Sequence, residues 1–142
     1  MPERSEELAN LARIGKLKAE PGTRGEIAAL LTSGSERLRD ACNEGLALSS
    51  RFDLAYNAAH AFSLAALRWH GYRSDSRYLV FQSLPHTLRV PATVWRVLAK
   101  AHELRNIAEY EGHFDADATM LRNLIEAAEA VRVAATALPA LR

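Results

Sequence analysis

The chain has 142 residues, which suits one compact domain, and 49% of them are hydrophobic, which is enough for a core. Only 7 Gly and 5 Pro are present, so the chain is poor in the residues that punctuate β-rich folds. The formal net charge of +1 gives no overall field that would by itself indicate nucleic-acid binding.

The N-terminal segment, residues 1–7, is highly charged and no apolar stretch follows it. Neither a targeting signal nor a membrane span of about 20 apolar residues is recognisable, so we expect a soluble, cytoplasmic protein. Ser5 is a predicted N-cap for a first helix, which carries leucines at helical spacing and ends before Pro21.

The second predicted helix begins at Thr23-Arg24-Gly25-Glu26, which has the spacing of a capping box. Gly34, between two serines, is expected to weaken this helix locally, since Gly costs about 1 kcal/mol relative to Ala in a helix. Cys42 is the single cysteine, which excludes an intramolecular disulfide and a multi-cysteine metal site. Its position on an Ala- and Leu-containing helix predicts a buried structural thiol.

A third helix is predicted from Arg51 to about His70, with Ser50 as its N-cap and Gly71 at its end. Small side chains let neighbouring helices approach to the short end of the roughly 8–10 Å packing range, so this helix is predicted to be central. His60 is interpreted as a packed or edge histidine rather than a ligand. Small and aromatic residues recur at helical spacing: Phe52, Ala55, Ala58, Ala59, Phe62, Ala65, Ala66 and Trp69.

Proline, glycine and aspartate divide the rest of the chain into three further predicted helices. The only plausible strand, residues 78–81, has no partner strand elsewhere. The sequence therefore predicts one all-α domain over residues 1–142, an antiparallel up-and-down bundle of five to six helices. The three helices run from Arg77 towards Leu84 with Pro85 ending or kinking the helix, from Pro91 to about Tyr110, and from Asp115 or Asp117 to about Leu138.

An Arg-Asn pair, Arg105 and Asn106, lies in the fifth predicted helix, within the stretch 104–112 (LRNIAEYEG). At about 100° per residue, Arg105 falls at the edge of the helix's apolar stripe, together with His102 and Glu109. Two interpretations are open. One is an ordinary half-buried flank with an Arg105–Glu109 pair, and the other is a functional or dimer-lining face.

The chain resembles the HEPN family of small helical proteins. Residues 52–61 (FDLAYNAAHA) and 65–73 (AALRWHGYR) are similar to the family's central helix, which ends at a Gly-containing turn and is followed by a short helix and the Arg-Asn helix. Arg105 and Asn106 stand where the family's catalytic Arg and its polar neighbour fall. Tyr110 stands where the family's His would come at its earliest spacing, whereas His113 lies outside that spacing.

The resemblance implies a helical bundle that is commonly a homodimer, with paired Arg and His sites at the interface. Active members resemble metal-independent endoribonucleases, in which a 2′-hydroxyl attacks the adjacent phosphate. His is suited to acid–base work near pH 7, whereas Tyr, with an ordinary pKa near 10, is a poor base. The candidate catalytic residues are therefore Arg105, Asn106 and Tyr110, with His102, one turn before Arg105, as a substitute base.

Two functions follow as predictions. The first is a non-catalytic homodimeric binding or interaction module that accepts nucleotide or RNA, or docks a minimal nucleotidyltransferase. The alternative is an endoribonuclease toxin of a toxin–antitoxin system with a displaced histidine. No cofactor or metal is expected, because the chain has no Glu-x-x-His pair, phosphate loop or zinc-ligand pattern. Polar side chains around the turn after the third helix either contact phosphate or are simply solvated: Arg68, His70, Tyr72, Arg73 and Arg77.

Overall fold

The computed structural model describes residues 5–112 and 115–141, so His113 lies outside the described residues. The predicted all-α bundle is confirmed: the described residues form seven α-helices and one small antiparallel sheet. The segment predicted as a single helix before Pro85 is two short helices that meet at Ser83. The helices are α1 (Glu6–Arg13), α2 (Arg24–Ala41), α3 (Leu48–Trp69), α4 (Arg77–Gln82), α5 (Leu84–Thr87), α6 (Ala92–Glu111) and α7 (Ala118–Thr136), and the strands are β1 (Lys18–Ala19) and β2 (Tyr72–Arg73).

Side-chain caps fix the starts of four helices. The predicted caps Ser5, Thr23 and Asp117 each accept a hydrogen bond from the backbone N–H three residues later, and Ser76 does the same for α4. The prediction that Ser50 caps α3 is wrong. The N-cap is Ala47, which makes no side-chain cap, and Ser50 lies inside the helix.

The longest helix, α3, is central, as predicted, and packs against α2, α4, α5, α6 and α7. It packs closely on α2 at Gly34, where an added Cβ would lie 2.6 Å from Cε1 of the buried Phe62. Gly34 thus allows α2 and α3 to pack closely in the core. This packing role is additional to the predicted local weakening of α2. The main core cluster spans α2, α3, α6 and α7 with Phe81 and Leu84, and a second, smaller cluster includes Leu8.

Arg68 holds the turn after α3 to the segment between α1 and α2. Its side chain is buried, and it pairs with Glu20 at 3.1 Å and Glu26 at 2.8 Å. It also donates to the backbone carbonyls of Glu20, Pro21 and Tyr72. These bonds lie beside the β1–β2 pair, in which Ala19 is opposite Tyr72. Arg68 is therefore a structural residue, because its guanidinium group is bonded to groups of the protein.

One further expectation is wrong. Cys42 is exposed, because α2 ends at Ala41 and the thiol belongs to the C-cap residue outside the helix. Residues 78–81 are helical, as the helix predicted from Arg77 requires, and belong to α4, where Val80 and Phe81 are buried. Among the helices of the described ranges, none is both long enough and apolar enough to cross a membrane.

Candidate functional site

Three helices bring polar and aromatic side chains together around Tyr56. Each helix presents residues at spacings of three or four, which places them on one face. We define Tyr56, Arg77, His102, Arg105 and Asn106 as the Tyr56 site. The helices contribute Asp53, Tyr56, Asn57 and His60 from α3, Arg77, Tyr78 and Phe81 from α4, and His102, Arg105 and Asn106 from α6.

Tyr56 lies at the centre of this site and is fully buried. Its hydroxyl lies 2.8 Å from Nδ1 of His102, and the two rings stack with an interplanar angle of 21°. The buried Phe81 meets the Tyr56 ring edge-on at 5.7 Å. Burial raises the pKa of the Tyr56 phenol, although Arg77 opposes the effect. The phenol is therefore a neutral hydrogen-bonding group at physiological pH.

His102 is held at both ring nitrogens. Nδ1 contacts the Tyr56 hydroxyl at 2.8 Å, and Nε2 lies 3.2 Å from Nδ2 of Asn106. Burial, together with the charges of Arg77 and Arg105, lowers the pKa of His102, so the ring is neutral at pH 7. A neutral imidazole has one donor and one acceptor nitrogen, and these two contacts use both.

Two guanidinium groups approach the Tyr56 ring, that of Arg105 at 4.9 Å and that of Arg77 at 5.6 Å from the ring centroid. Arg105 also pairs with Asp53 at 2.7 Å and with Glu109 at 3.4 Å, so the predicted Arg105–Glu109 pair is present within a larger polar cluster.

Arg77 differs from Arg105 in its partners. It donates to Oδ1 of Asn57 at 3.0 Å, and no carboxylate within the described part of the chain forms an ion pair with it. Burial is the main cause of the lowered pKa values of His60 and His102, and the positive charge of Arg77 lowers both further. Arg77 is therefore a cation of the site whose charge is not neutralised by a contacting carboxylate.

His60 extends the site towards the core, as the expected packed histidine. Its ring meets Phe81 edge-on at 5.9 Å. Burial, and then the charges of Arg77 and His102, lower the pKa of His60 to about 4. The imidazole is thus neutral over the physiological range and adds no positive charge beside Arg77.

The sequence-predicted residues separate into two groups. His102, Arg105 and Asn106 come together, whereas the Tyr110 side chain is 95% exposed and has no contact with them in the described structure. Tyr110 follows Arg105 by five residues, which is about 140° around a helix, so it points away from Arg105.

Sequence reasoning did not single out Tyr56. The sequence does contain a pattern that indicates a polar face around Tyr56. On an otherwise Ala-rich helix, polar residues recur at spacings of three and four, at Asp53, Asn57 and His60. Of the polar side chains around the turn after α3, Arg77 is the one that joins the site. His70 instead contacts the backbone oxygen of Thr87 at 3.0 Å.

In residues 5–112 and 115–141, no three His, Cys, Asp or Glu side chains lie close enough to hold a metal ion. Comparisons with protein-family models, curated proteins and solved structures find no match to this chain. The resemblance to HEPN proteins therefore rests on residues 52–61 and 65–73 and on the Arg105-Asn106 pair.

Proposed function

We propose that the Tyr56 site binds a phosphate group of RNA or of a nucleotide, and that the protein is a non-catalytic, homodimeric binding module related to HEPN proteins. The observation that carries this proposal is the convergence of Arg77 and Arg105 on the Tyr56 ring beside a neutral histidine. Guanidinium groups bind phosphate oxygens through paired, charge-assisted hydrogen bonds.

The two arginines contribute differently to such a complex. Arg77 has no carboxylate to displace, so it is the principal phosphate ligand. The Arg105 guanidinium is shared with Asp53, whose side chain is 54% exposed, and this partly solvated ion pair can open when phosphate arrives. Asn106 is exposed and adds an amide donor at the rim of the site.

The contacts of the His102 ring disfavour cleavage of RNA. A general base needs a nitrogen that is free to take the 2′-hydroxyl proton, and both nitrogens of His102 are engaged within the protein. Tyr110 is no substitute, because it is exposed and points away from Arg105. Loss of general acid–base catalysis typically costs about 10²–10⁴-fold in rate, which is consistent with binding without useful cleavage.

A second function, a metal-independent endoribonuclease, is favoured by one observation: His102 is neutral at pH 7 and close to Arg105 in sequence and on the helix. If the exposed Asn106 rotated away, Nε2 could take the 2′-hydroxyl proton. The 2′-oxygen would then bond to phosphorus, and the 5′-oxygen would leave with a proton to give a 2′,3′-cyclic phosphate end.

One pair of assays tests both functions. Binding of a fluorescein-labelled 10-nucleotide RNA is followed by anisotropy, and its integrity is followed on gels in the presence of a chelator. Arg77→Ala and Arg105→Ala should each weaken binding several-fold, while the RNA stays intact with the wild-type protein. Arg24→Ala is the matched control, because Arg24 lies near Trp69, about 13 residues and about 20 Å along α3 from Tyr56.

The outcomes separate the two proposals. Binding by both Arg77→Ala and Arg105→Ala that equals that of the wild type would contradict the phosphate site. Cutting of RNA that both Arg105→Ala and His102→Ala abolish, but Arg24→Ala does not, would replace the binding module by the ribonuclease.

The proposed homodimer draws support from the end of α6. Ile107 is 40% exposed and Tyr110 is 95% exposed, and their spacing of three places both on one face of the helix. Two large exposed side chains beside each other suit a surface that a second copy covers. A minimal nucleotidyltransferase is the other partner that the HEPN resemblance suggests for this surface.

A further inference from the structure

A groove of about 670 Å³ runs along α6 next to the Tyr56 site. This volume lies within the range of about 300–1,000 Å³ that small-molecule sites occupy. We call it the α6 groove. His102 and Asn106 belong to both the groove and the Tyr56 site, so a ligand can occupy the two at once. The residues that matter here are Tyr78, Trp95, Arg96, Lys100, His102 and Asn106.

The aromatic residues of the groove are accessible. Tyr78 is 43% exposed, although its neighbours Val80 and Phe81 on α4 are buried, and its ring lies 6.1 Å from that of His102. Trp95 is half-buried, and its indole N–H has no hydrogen-bond partner among the described residues. By contrast, the indole of Trp69 donates to the carbonyl of Pro139. The Tyr78 and Trp95 rings therefore offer apolar surface together with open polar groups.

The rim of the groove carries positive charge. Arg96 is exposed and forms no ion pair with a carboxylate of the described ranges. Lys100 contacts Glu103 at 3.7 Å, but both side chains are more than 60% exposed, at 63% and 62%, so this pair is weak. An aromatic surface beside cations is the arrangement by which proteins bind single-stranded nucleic acid: bases stack on the rings and the backbone follows the charges.

We propose that the α6 groove binds a nucleobase of single-stranded RNA, stacked on Tyr78 or Trp95, while an adjacent phosphate occupies the Tyr56 site. This inference rests on the proposed phosphate-binding function, and it names single-stranded RNA as the ligand class. A base in the groove lies beside the exposed Asn106 amide, which provides a donor and an acceptor for its edge.

The test compares a six-nucleotide oligoadenylate with a ribose-phosphate oligomer of the same length that lacks bases. The abasic oligomer is expected to bind the wild-type protein about 10- to 100-fold more weakly, because stacking on aromatic side chains is lost. Oligoadenylate should quench tryptophan fluorescence, and this quenching should disappear in Trp95→Leu. The leucine preserves apolar contact with the core, against which Trp95 packs.

Tyr78→Leu provides a second variant, at a position that is 43% exposed. It should weaken oligoadenylate binding at least several-fold and leave the dependence of binding on salt concentration unchanged, because no cation is removed. Arg77→Ala should instead reduce the salt dependence. Circular dichroism of Trp95→Leu, Tyr78→Leu and Arg77→Ala identifies any variant that fails to fold.

Three results are distinguishable. Weaker binding of the abasic oligomer and of both aromatic variants supports the base subsite. Equal binding of both oligomers by the wild type, with unchanged affinity in Tyr78→Leu, overturns the subsite and leaves the phosphate site standing. If neither oligomer binds, the proposed function fails and the subsite fails with it.

Discussion

Replacing Gly34 with Ala tests the packing of α2 on α3, the central helix of the fold. The added Cβ would lie 2.6, 2.9 and 3.0 Å from Cε1, Cδ1 and Cζ of Phe62, which has no exposed surface. Carbon atoms pack best at about 3.5–4.0 Å, so the helices or the ring must move by roughly 1 Å. Overpacking a core typically costs about 1–3 kcal/mol.

The substitution also brings a gain, because Ala is favoured over Gly in a helix interior by about 1 kcal/mol. Since the Phe62 ring is fully buried, we expect the upper part of the overpacking range. The free energy of unfolding should therefore fall by about 1–2 kcal/mol, and the Tm by about 3–6 °C. Urea unfolding followed by circular dichroism measures the first quantity, and a thermal scan measures the second.

Gly25→Ala is the matched control, because Gly25 lies in the same helix and an added Cβ there meets nothing within 4 Å. It should stabilise the protein by about 0.4–1 kcal/mol, through the reduced freedom of the unfolded chain. If Gly34→Ala proved as stable as Gly25→Ala, the close α2–α3 contact would be refuted.

Three further predictions concern stability and assembly. The pKa of His60 falls from about 6.5 in the unfolded chain to about 4 in the fold, so unfolding takes up a proton and the free energy of unfolding should drop by about 2 kcal/mol from pH 7 to pH 5. Denaturant titrations should show a smaller drop in His60→Asn, and an equal drop would contradict the assignment. Arg68→Ala should destabilise the fold by about 3 kcal/mol in urea, since partly buried carbonyls and the carboxylates of Glu20 and Glu26 lose their donor, and a loss below about 1 kcal/mol would refute its structural role. Ile107→Glu should convert the proposed dimer to a monomer in sedimentation, and a wild-type protein that is monomeric at micromolar concentration would refute the dimer.

The helix boundaries that were predictable from the sequence are those that depend on local chemistry. Thr23 and Asp117 cap helices through the backbone N–H three residues later, and this spacing is visible in the chain itself. The local sequence does not predict the start of α3. The helix begins before Ser50, with a backbone bond from the N–H of Arg51 to the carbonyl of Ala47, and the Arg51 side chain joins this first turn to the Ala41 carbonyl at the end of α2.

The same distinction applies to the site. His102, Arg105 and Asn106 are neighbours because they share one turn and a half of α6, and helical spacing predicts this. Tyr56 contacts His102 from 46 residues away, and this contact arises from how α3 packs on α6. Arg77 likewise reaches the site from α4. Helical periodicity predicts neighbours within a helix but not which faces of different helices meet.

The exposure of Cys42 has a related cause. Its Ala- and Leu-containing surroundings indicated a buried position, but α2 ends one residue earlier, so the thiol lies outside the packed face. A boundary shift of one residue thus reverses the environment of a side chain. Helix ends are the least certain part of a sequence-based prediction for this reason.

The central claim is that the Tyr56 site holds an RNA phosphate through Arg77, and the salt dependence of binding tests it most directly. Affinity for the 10-nucleotide RNA is measured from about 50 to 200 mM salt, where each phosphate contact contributes about 0.7 to the slope of log affinity against log salt for a single strand. Arg77→Ala should weaken binding and reduce the slope by about 0.7 to 1, whereas Arg24→Ala should leave both unchanged. The same affinity and slope in Arg77→Ala as in the wild-type protein would contradict the account.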